Sequence, residues 1–476
     1  MDNNKSTLPD GRLGRLEGWG MVANGVAHVF RPTTPEGITE AFHAAASSGK
    51  TVGLRGAGRS YGDASLNNEG IVLDLTRMNR ILNWDPTDGL IDVEPGVSVR
   101  QLWQYIIEDG WWPPVVSGTM FPTIGGCAAM NIHGKNNFKA GPIGDHIVEF
   151  ELLTPAFEVL VCNRDNNAEI FFAAIGGAGL LGIFTRIRLQ MKRIYSGYLD
   201  VEPIAVANFD ELFDVFDDRV SMSDYLVGWV DCFAKGPRAG RGLVHRANYL
   251  DKDEDSEPER SLRVESQELS DLIFGVVPKS VMWRFMKPFV NDFGMKVVNE
   301  VRCMSAARTP GGHTHRQTHA EFAFLLDYIP GWKNAYKPNG LIQYQSFVPA
   351  ASAKHVFQTQ LELTHRYGLV PYLGVFKRHR SDNFLLSHGV DGYSFALDFA
   401  FQPNLRAEFL SLTAEMNRVV LDCNGKFYLA KDSTLHSSVY QQSLGLSAVE
   451  KFRSLKQRCD PENILQTNIY RRLFAE

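Results

Sequence analysis

Apolar residues along this chain change their spacing repeatedly, and each change marks an element. Ile38, Ala41, Phe42, Ala45 and Ala46 recur at helical spacing behind Thr34 and Pro35, an N-cap followed by a proline at the first helical position, and Gly49 closes the run. Ser98 with Gln101 reads as a capping box opening a second helix, with Leu102, Tyr105 and Ile106 on its apolar face and Asp109 and Gly110 at its end. Short strands are predicted at Thr51–Leu54, Ile71–Leu75 and Gly89–Val93. This alternation continues to about Met191 and predicts an α+β or mixed α/β unit of two lobes.

From about Ser196 the texture changes. The aromatic-rich runs Asp224–Phe233, Ala320–Ile329 and Leu341–Pro349 predict strands of one substantial antiparallel sheet. A helix over Ala353–Tyr367, strands at Tyr372–Phe376 and Tyr393–Phe399, and a helix near Leu405–Asp422 complete an arrangement with helices on one sheet face. Between them the charged run Asp251–Arg260 (DKDEDSEPER) is expected to be a mobile surface loop. In the tail, DPENIL is a turn plus a short apolar anchor that closes the chain back on an earlier domain. The expected division is therefore 1–195, two lobes meeting near 110; 196–415, the antiparallel-sheet unit; and 416–476, returning to the first.

Composition excludes several classes of function. With 49 basic against 54 acidic residues and no basic block, a nucleic-acid partner has no support, although Lys377, Arg378, His379 and Arg380 form a local group able to face an anionic substrate. Six cysteines without a C-x-x-C pair argue against a structural zinc or a disulfide framework and fit a reducing compartment. The first twenty residues lack the apolar core of a signal peptide, and no run approaches the ~18 apolar residues of a spanning helix. A cytoplasmic protein with at most peripheral membrane contact is expected.

Two glycine-rich stretches carry the candidate chemistry: RGAGRSYGD (Arg55–Asp63) and SGTMFPTIGGCAAMNIHGKN (Ser117–Asn136). Glycine permits positive φ and lets backbone amides approach phosphate oxygens, so the pair reads as a dinucleotide cradle, against the alternative of ordinary turns. It is not a Rossmann cradle, because Gly56, Gly58 and Gly62 lead into another strand with no helix opening after them. A literal G-x-G-x-x-G at Gly177–Gly182 has the opposite order, helix before and strand after.

GRSYGD (Gly58–Asp63), NIHGKN (Asn131–Asn136), QYQ (Gln343–Gln345), VFK (Val375–Lys377) and AKDS (Ala430–Ser433) are five separated motifs in a chain that, from Gly18 to Leu473, resembles flavoproteins of the vanillyl-alcohol-oxidase type. The resemblance implies a two-lobed PCMH-type FAD-binding domain interrupted by a substrate domain, and an oxidoreductase acting on CH–OH groups. It further implies FAD contacts from Arg55, Gly56, Ala57, Gly58, Arg59, Ser60, Tyr61, Gly118, Thr119, Thr123, Gly125, Gly126, Ile132, His133, Ile183 and Tyr428. Relatives with covalent flavin carry histidine at the position of Arg59; arginine cannot form that bond, so noncovalent FAD is expected.

Oxidation of a secondary alcohol needs a carbinol C–H held at the flavin, a route for the hydroxyl proton and stabilisation of the charge that develops. Lys431 is the first candidate, as an ammonium near the flavin edge and the substrate hydroxyl; a surface lysine paired with Asp432 is the alternative. His133 is expected either to orient the hydroxyl or relay its proton, or to serve as a structural histidine. Lys135 and Lys377 match family positions suited to a phosphate. Gln343 and Gln345 point to one strand face and can read sugar hydroxyls, and Trp229 falls at a pocket position. Ser394, Ala396 and Ala323 stand where the sugar-oxidising branch carries asparagine, cysteine and tyrosine, so an altered substrate pocket is expected. His313, His315 and His319, flanked by TPGG, read as an exposed loop and not a metal site.

The expected activity is oxidation of a secondary hydroxyl of a sugar or sugar phosphate to a keto-sugar. If that is the first half of an epimerisation, a separate NAD(P)H-dependent reductase completes it. The alternatives are an aldonolactone or alditol oxidase using O2, and a non-catalytic flavin-binding protein.

Overall fold

The computed structural model describes residues 8–273, 277–307 and 313–475. The first seven residues and the TPGG segment at 309–312 lie outside the described residues. A four-stranded sheet runs in the order Leu13–Glu17, Asn24–Phe30, Ile71–Asp74, Val52–Arg55, its last three strands parallel. Parallel neighbours require a crossover, which the Pro35–Ser48 helix supplies. Thr34 Oγ1 accepts the Gly37 N–H at 3.4 Å, Gly49 closes the helix at φ +67°, and Ile38, Ala41, Phe42 and Ala45 are buried against Val52, Ile71 and Leu73. Ala46 is exposed.

A five-stranded antiparallel sheet follows, in the order Ile81–Asp85, Leu90–Val93, Ile183–Gln190, Ile147–Leu153, Val159–Asn163. The step between the two small sheets therefore falls between Asp74 and Ile81, ahead of the expected 110. In the Val99–Ile106 helix only half of the capping box forms: Ser98 Oγ accepts the Gln101 N–H at 3.1 Å, while the Gln101 side chain donates to the Asn79 carbonyl at 2.8 Å. Trp103, not Tyr105, shares its buried face with Leu102 and Ile106.

The third sheet has eight antiparallel strands, in the order His315–Thr318, Tyr198–Val206, Gly242–Tyr249, Tyr225–Val230, Leu373–His379, Gly392–Ala400, Leu341–Pro349, Lys426–Phe427. Alternation along each strand divides its side chains between two faces. Phe376 and Phe395 meet Phe209, Phe213 and Phe357 of the helices Phe209–Arg219 and Ala350–Tyr367 at ring separations of 5.1–6.3 Å. Their immediate neighbours Val375, Lys377 and Ala396 take the other face. The architecture is α+β, with the sheet's second face turned toward the small sheets.

Three local expectations are corrected. Ala320–Ile329 is not a strand: Thr318 and Glu321 form a reciprocal capping box that opens the His319–Ala323 helix, followed by a short 3-10 turn at Leu325–Asp327. The DKDEDSEPER run is pinned, because buried Asp255 accepts from Ser196 Oγ at 2.5 Å and Ser261 Oγ at 2.6 Å. His315 lies in a strand and His319 is buried, stacked on Trp112 at 5.0 Å, so these histidines are not one exposed loop.

The tail pairs with two of the sheets and with the first glycine stretch. Lys426 and Phe427 pair with Phe347 and Ser346, and the Tyr61 N–H donates to the Ala430 carbonyl at 2.9 Å. Val52 exchanges hydrogen bonds with Ile464 and Gln466 at 2.8 Å, the closure that DPENIL suggested. Among the described residues, no helix is long and apolar enough to cross a membrane.

Candidate active site

A cavity of about 580 Å³ lies between the two glycine stretches, the eight-stranded sheet and the Tyr428–Lys431 turn. The first stretch has no helix, as its sequence implied; the second contains a short one, Ile124–Ala129, capped by Thr123, and this the reading of the glycines missed. Its start is visible in the Thr-x-x-Gly spacing that lets Thr123 Oγ1 accept the Gly126 N–H at 3.4 Å. The stretches interlock so tightly that a Cβ on Gly56 would collide with Thr123 Oγ1, and one on Gly125 with Pro95. A Cβ on Gly62 would strike the Asp432 carbonyl, so the tail is packed onto the first stretch. Asp327 fixes the second stretch by accepting from Thr119 Oγ1 and the Met120 N–H, both at 2.7 Å.

The sheet forms the opposite wall. Register places Gln343 opposite Asp398, Gln345 and Val375 opposite Ala396, Val375 opposite Trp229, and Val227 opposite His245; all of these side chains line the cavity. Gln343 Nε2 donates to Asp398, leaving Gln343 Oε1 buried without a partner. Gln345 Nε2 lies 3.3 Å from Ser394 Oγ and 3.4 Å from His133 Nε2.

Three lysines converge on this space. Lys431 Nζ lies 4.0 Å from the Tyr61 ring centroid, and burial lowers its pKa to about 7 against the opposing pull of Asp398. The Asp398 carboxyl is raised by the same burial. Lys135 donates to the Phe322 carbonyl and lies over the Phe322 ring; burial first, then Lys377, lowers it to about 7. Lys377 is lowered by burial to about 8. Among the described residues none of the three has a carboxylate salt bridge. Asp432 does not neutralise Lys431 but pairs at 2.7 Å with Arg472, which also grips Asp63 through Nε and Nη2 at 3.1 and 2.8 Å.

His133 sits against His379, His388, Phe347 and Tyr428 at ring separations of 5.0–5.4 Å, and burial holds its pKa well below the ordinary histidine range. Its Nδ1 is buried without a hydrogen-bond partner. The Arg59 guanidinium lies over Trp19 and Phe121, 4.2 and 4.9 Å from the centroids, with Nε likewise buried and unpartnered.

The structure thus brings to one cavity Arg55, Gly56, Ala57, Gly58, Arg59, Ser60, Tyr61, Gly118, Thr119, Thr123, Gly125, Gly126, Ile132, His133, Tyr428 and Lys431 with Lys135, Trp229, Gln343, Gln345, Lys377 and Ala396. Two candidates are elsewhere. Ile183 is packed in the core with Val52 and Leu153, away from the cavity wall, and Ser394, on the same strand face as Ala396, is held between Gln345 Nε2 at 3.3 Å and His379 Nε2 at 2.7 Å without lining the cavity. Ala323 is also off the wall, so of the three departures only Ala396 shapes the cavity directly. Sequence reading missed Asp398, His245 and Arg302; Asp398 was findable as the polar residue two positions beyond Ala396 on the same strand face. Of the basic group, only Lys377 reaches the cavity, since Arg378 pairs with Asp391 and Arg380 with Asp145.

The glycine clearances and the unpartnered buried polar atoms fit an elongated polar cofactor. A model of an FAD binding domain matches residues 26–163, which contain both glycine stretches. Over 96% of its length the chain is 30% identical to decaprenylphosphoryl-beta-D-ribose oxidase of Mycolicibacterium smegmatis, covering 97% of that protein. The chain belongs to this family of FAD flavoproteins. It is therefore an FAD-dependent oxidoreductase. More distant similarity reaches rice cytokinin dehydrogenase 7, 28% identical over 50% of this chain and 47% of that one, and bovine L-gulonolactone oxidase, 27% over 41% and 43%.

Proposed function

We propose that this family member oxidises a secondary hydroxyl of a phosphate-bearing sugar to the ketone, with FAD held noncovalently between the two glycine stretches. The observation that carries the reading is the burial of Lys135 and Lys377 beside Gln343 and Gln345 in one cavity, with Lys431 facing Asp398 in the same space. Buried ammonium groups without carboxylate partners are costly unless an anionic ligand compensates them. The amides add neutral donors and acceptors suited to sugar hydroxyls.

FAD, when bound, supplies the acceptor for the carbinol hydride. Backbone amides of Gly56–Ser60 and Gly125–Gly126 would hold its pyrophosphate, with Tyr61, His133 and Tyr428 as further residues of its site. Lys431, in its neutral form, accepts the hydroxyl proton as the C–H bond breaks, and Asp398 stabilises the ammonium produced. His133 and Gln345 orient the hydroxyl, while Lys135 and Lys377 hold the phosphate. Ala396 leaves space where a larger side chain would narrow the sugar pocket. The keto-sugar formed is the substrate class of an NAD(P)H-dependent reductase, and oxidation followed by reduction from the other face inverts the carbinol.

The test is anaerobic bleaching of the bound FAD by a panel of water-soluble phosphosugars and their unphosphorylated counterparts. Phosphorylated sugars should bleach it at markedly lower concentration. Equal efficiency of the unphosphorylated sugars would remove the phosphate from the reading.

A further inference from the structure

Two buried polar residues, His379 and Ser394, lie beside the cavity without lining it. Alternation along Leu373–His379 puts His379 on the face of Val375 and Lys377, and register sets Lys377 opposite Ser394 and Gln345 opposite Ala396. A line of polar atoms therefore runs along this sheet face into the cavity. His379 Nε2 lies 2.7 Å from Ser394 Oγ, Ser394 Oγ 3.3 Å from Gln345 Nε2, and Gln345 Nε2 3.4 Å from His133 Nε2. All four side chains are buried, and Gln345 and His133 are the end that reaches the cavity.

The chemistry of these groups gives the line one direction. Burial, then nearby Lys377, drives both histidines well below their ordinary range, so each ring is neutral, with one N–H and one bare nitrogen. An amide nitrogen only donates, so the His133 Nε2 that faces Gln345 Nε2 is the bare nitrogen, and the ring proton sits on Nδ1. The same amide donates to Ser394 Oγ, and among the described residues His379 Nε2 is the acceptor left for the Ser394 O–H. His379 thereby keeps the serine lone pairs turned to Gln345. Phe347 and Tyr428 pack against the His133 ring at 5.3 and 5.1 Å, and Nδ1 is buried without a protein partner.

We infer that His379 and Ser394 are positioning residues: through the Gln345 amide they fix His133 as its Nδ1–H tautomer, and Nδ1–H is the donor that meets the carbinol oxygen of the substrate. The assignment rests on the reading that a secondary hydroxyl is oxidised in this cavity. As hydride leaves the carbon and Lys431 takes the hydroxyl proton, that oxygen becomes a carbonyl, and a donor already aimed at it stabilises the charge it gathers. Reversal of the line removes the donor. If the serine O–H turns to Gln345, the amide presents its oxygen, His133 Nε2 takes the proton, and Nδ1 has none to offer.

The tautomer is read directly by proton–nitrogen NMR correlation spectra of the full flavin-loaded chain with isotope-labelled histidine, His133 being assigned from a His133→Gln sample. The resting wild type should show His133 neutral and protonated on Nδ1. Ser394→Ala removes the link and His379→Phe its anchor, and each should shift His133 toward the Nε2–H form. In stopped flow with a water-soluble phosphosugar, both should lower the limiting rate of anaerobic bleaching about tenfold or more, the scale of a misplaced reacting group. The concentration for half-maximal bleaching should change less than about twofold, because Lys135 and Lys377 are untouched. His379→Gln, whose amide oxygen can accept the serine O–H, should restore the tautomer and most of the rate. Flavin content and thermal unfolding of the same samples identify any variant that has lost its fold. The inference is overturned if wild-type His133 is charged or carries its proton on Nε2, if folded Ser394→Ala keeps the wild-type tautomer and limiting rate, or if its loss is confined to the half-maximal concentration. If no phosphosugar bleaches the wild type, the oxidation reading falls, while the nitrogen spectra decide the tautomer independently.

Discussion

At the scale of single residues, the account turns on Lys431. Its ammonium is desolvated beside Tyr61 and its pKa is lowered to about 7, so the neutral amine is accessible near neutrality. The pH dependence has a definite sign: if the neutral form accepts the hydroxyl proton, anaerobic bleaching accelerates as pH rises through about 7 and levels above it. Lys431→Ala should retain FAD yet slow bleaching by about 10²–10⁴-fold, the range for loss of a general base, and lose the pH step; stopped-flow measurement of both variants against pH checks this. Arg59 makes a second residue-level prediction. Acid precipitation should release all the flavin to the supernatant, and a yellow pellet would show a covalent link that arginine cannot supply. Lys431, His133 and the lysines of the wall were legible because each sits in a motif. Asp398 sits in no motif; alternation puts it on the face of Ala396, but its importance shows only when antiparallel register sets it opposite Gln343.

At the scale of elements, the site is held by closure of the tail on the first glycine stretch. The clamp is Arg472, bound to Asp63 on one side and Asp432 on the other. Asp432 also caps the turn after Lys431, accepting the Thr434 and Leu435 N–H groups at 2.8 Å through Oδ1. Arg472→Ala leaves two carboxylates without their cation and should destabilise the fold by about 3–5 kcal/mol, the range for breaking a buried pair, somewhat less for the solvent that reaches Asp63. Denaturant unfolding measures the loss, and FAD retention should fall with it. Helix and strand positions were readable wherever periodicity was clean, as in Pro35–Ser48 and Leu341–Pro349. Ala320–Ile329 misled because its aromatic composition suits a strand, while the capping box that makes it helical begins two residues earlier, at Thr318. The helix Asp292–Ala307, with Phe293, Val297 and Val301 exposed, went unread, since periodicity gives a stripe but not the side it faces.

At the scale of the whole molecule, histidine burial couples stability to acid. His319 and His388 are lowered by burial to about 4 and about 3, and His133 and His379 are also driven well down. An unfolded histidine protonates near 6.5, so below that pH the unfolded chain binds more protons than the folded one. This contribution to stability is complete above 6.5 and is lost as pH falls toward 4, at about 1.4 kcal/mol per pH unit for each histidine. Melting temperatures measured across that window should fall steeply, and His388→Gln should flatten the slope. The return of the tail, paired with the eight-stranded and four-stranded sheets and bonded to the first glycine stretch, explains why residues separated by some 370 positions, Tyr61 and Lys431, face one cavity. That cavity is the centre of the account, and the most direct test of it is anaerobic FAD bleaching by a phosphosugar deuterated at the carbinol carbon. The account predicts stoichiometric formation of the keto-sugar with a primary isotope effect on bleaching; bleaching without ketone formation, or with no isotope effect even in single-turnover measurements, would contradict it.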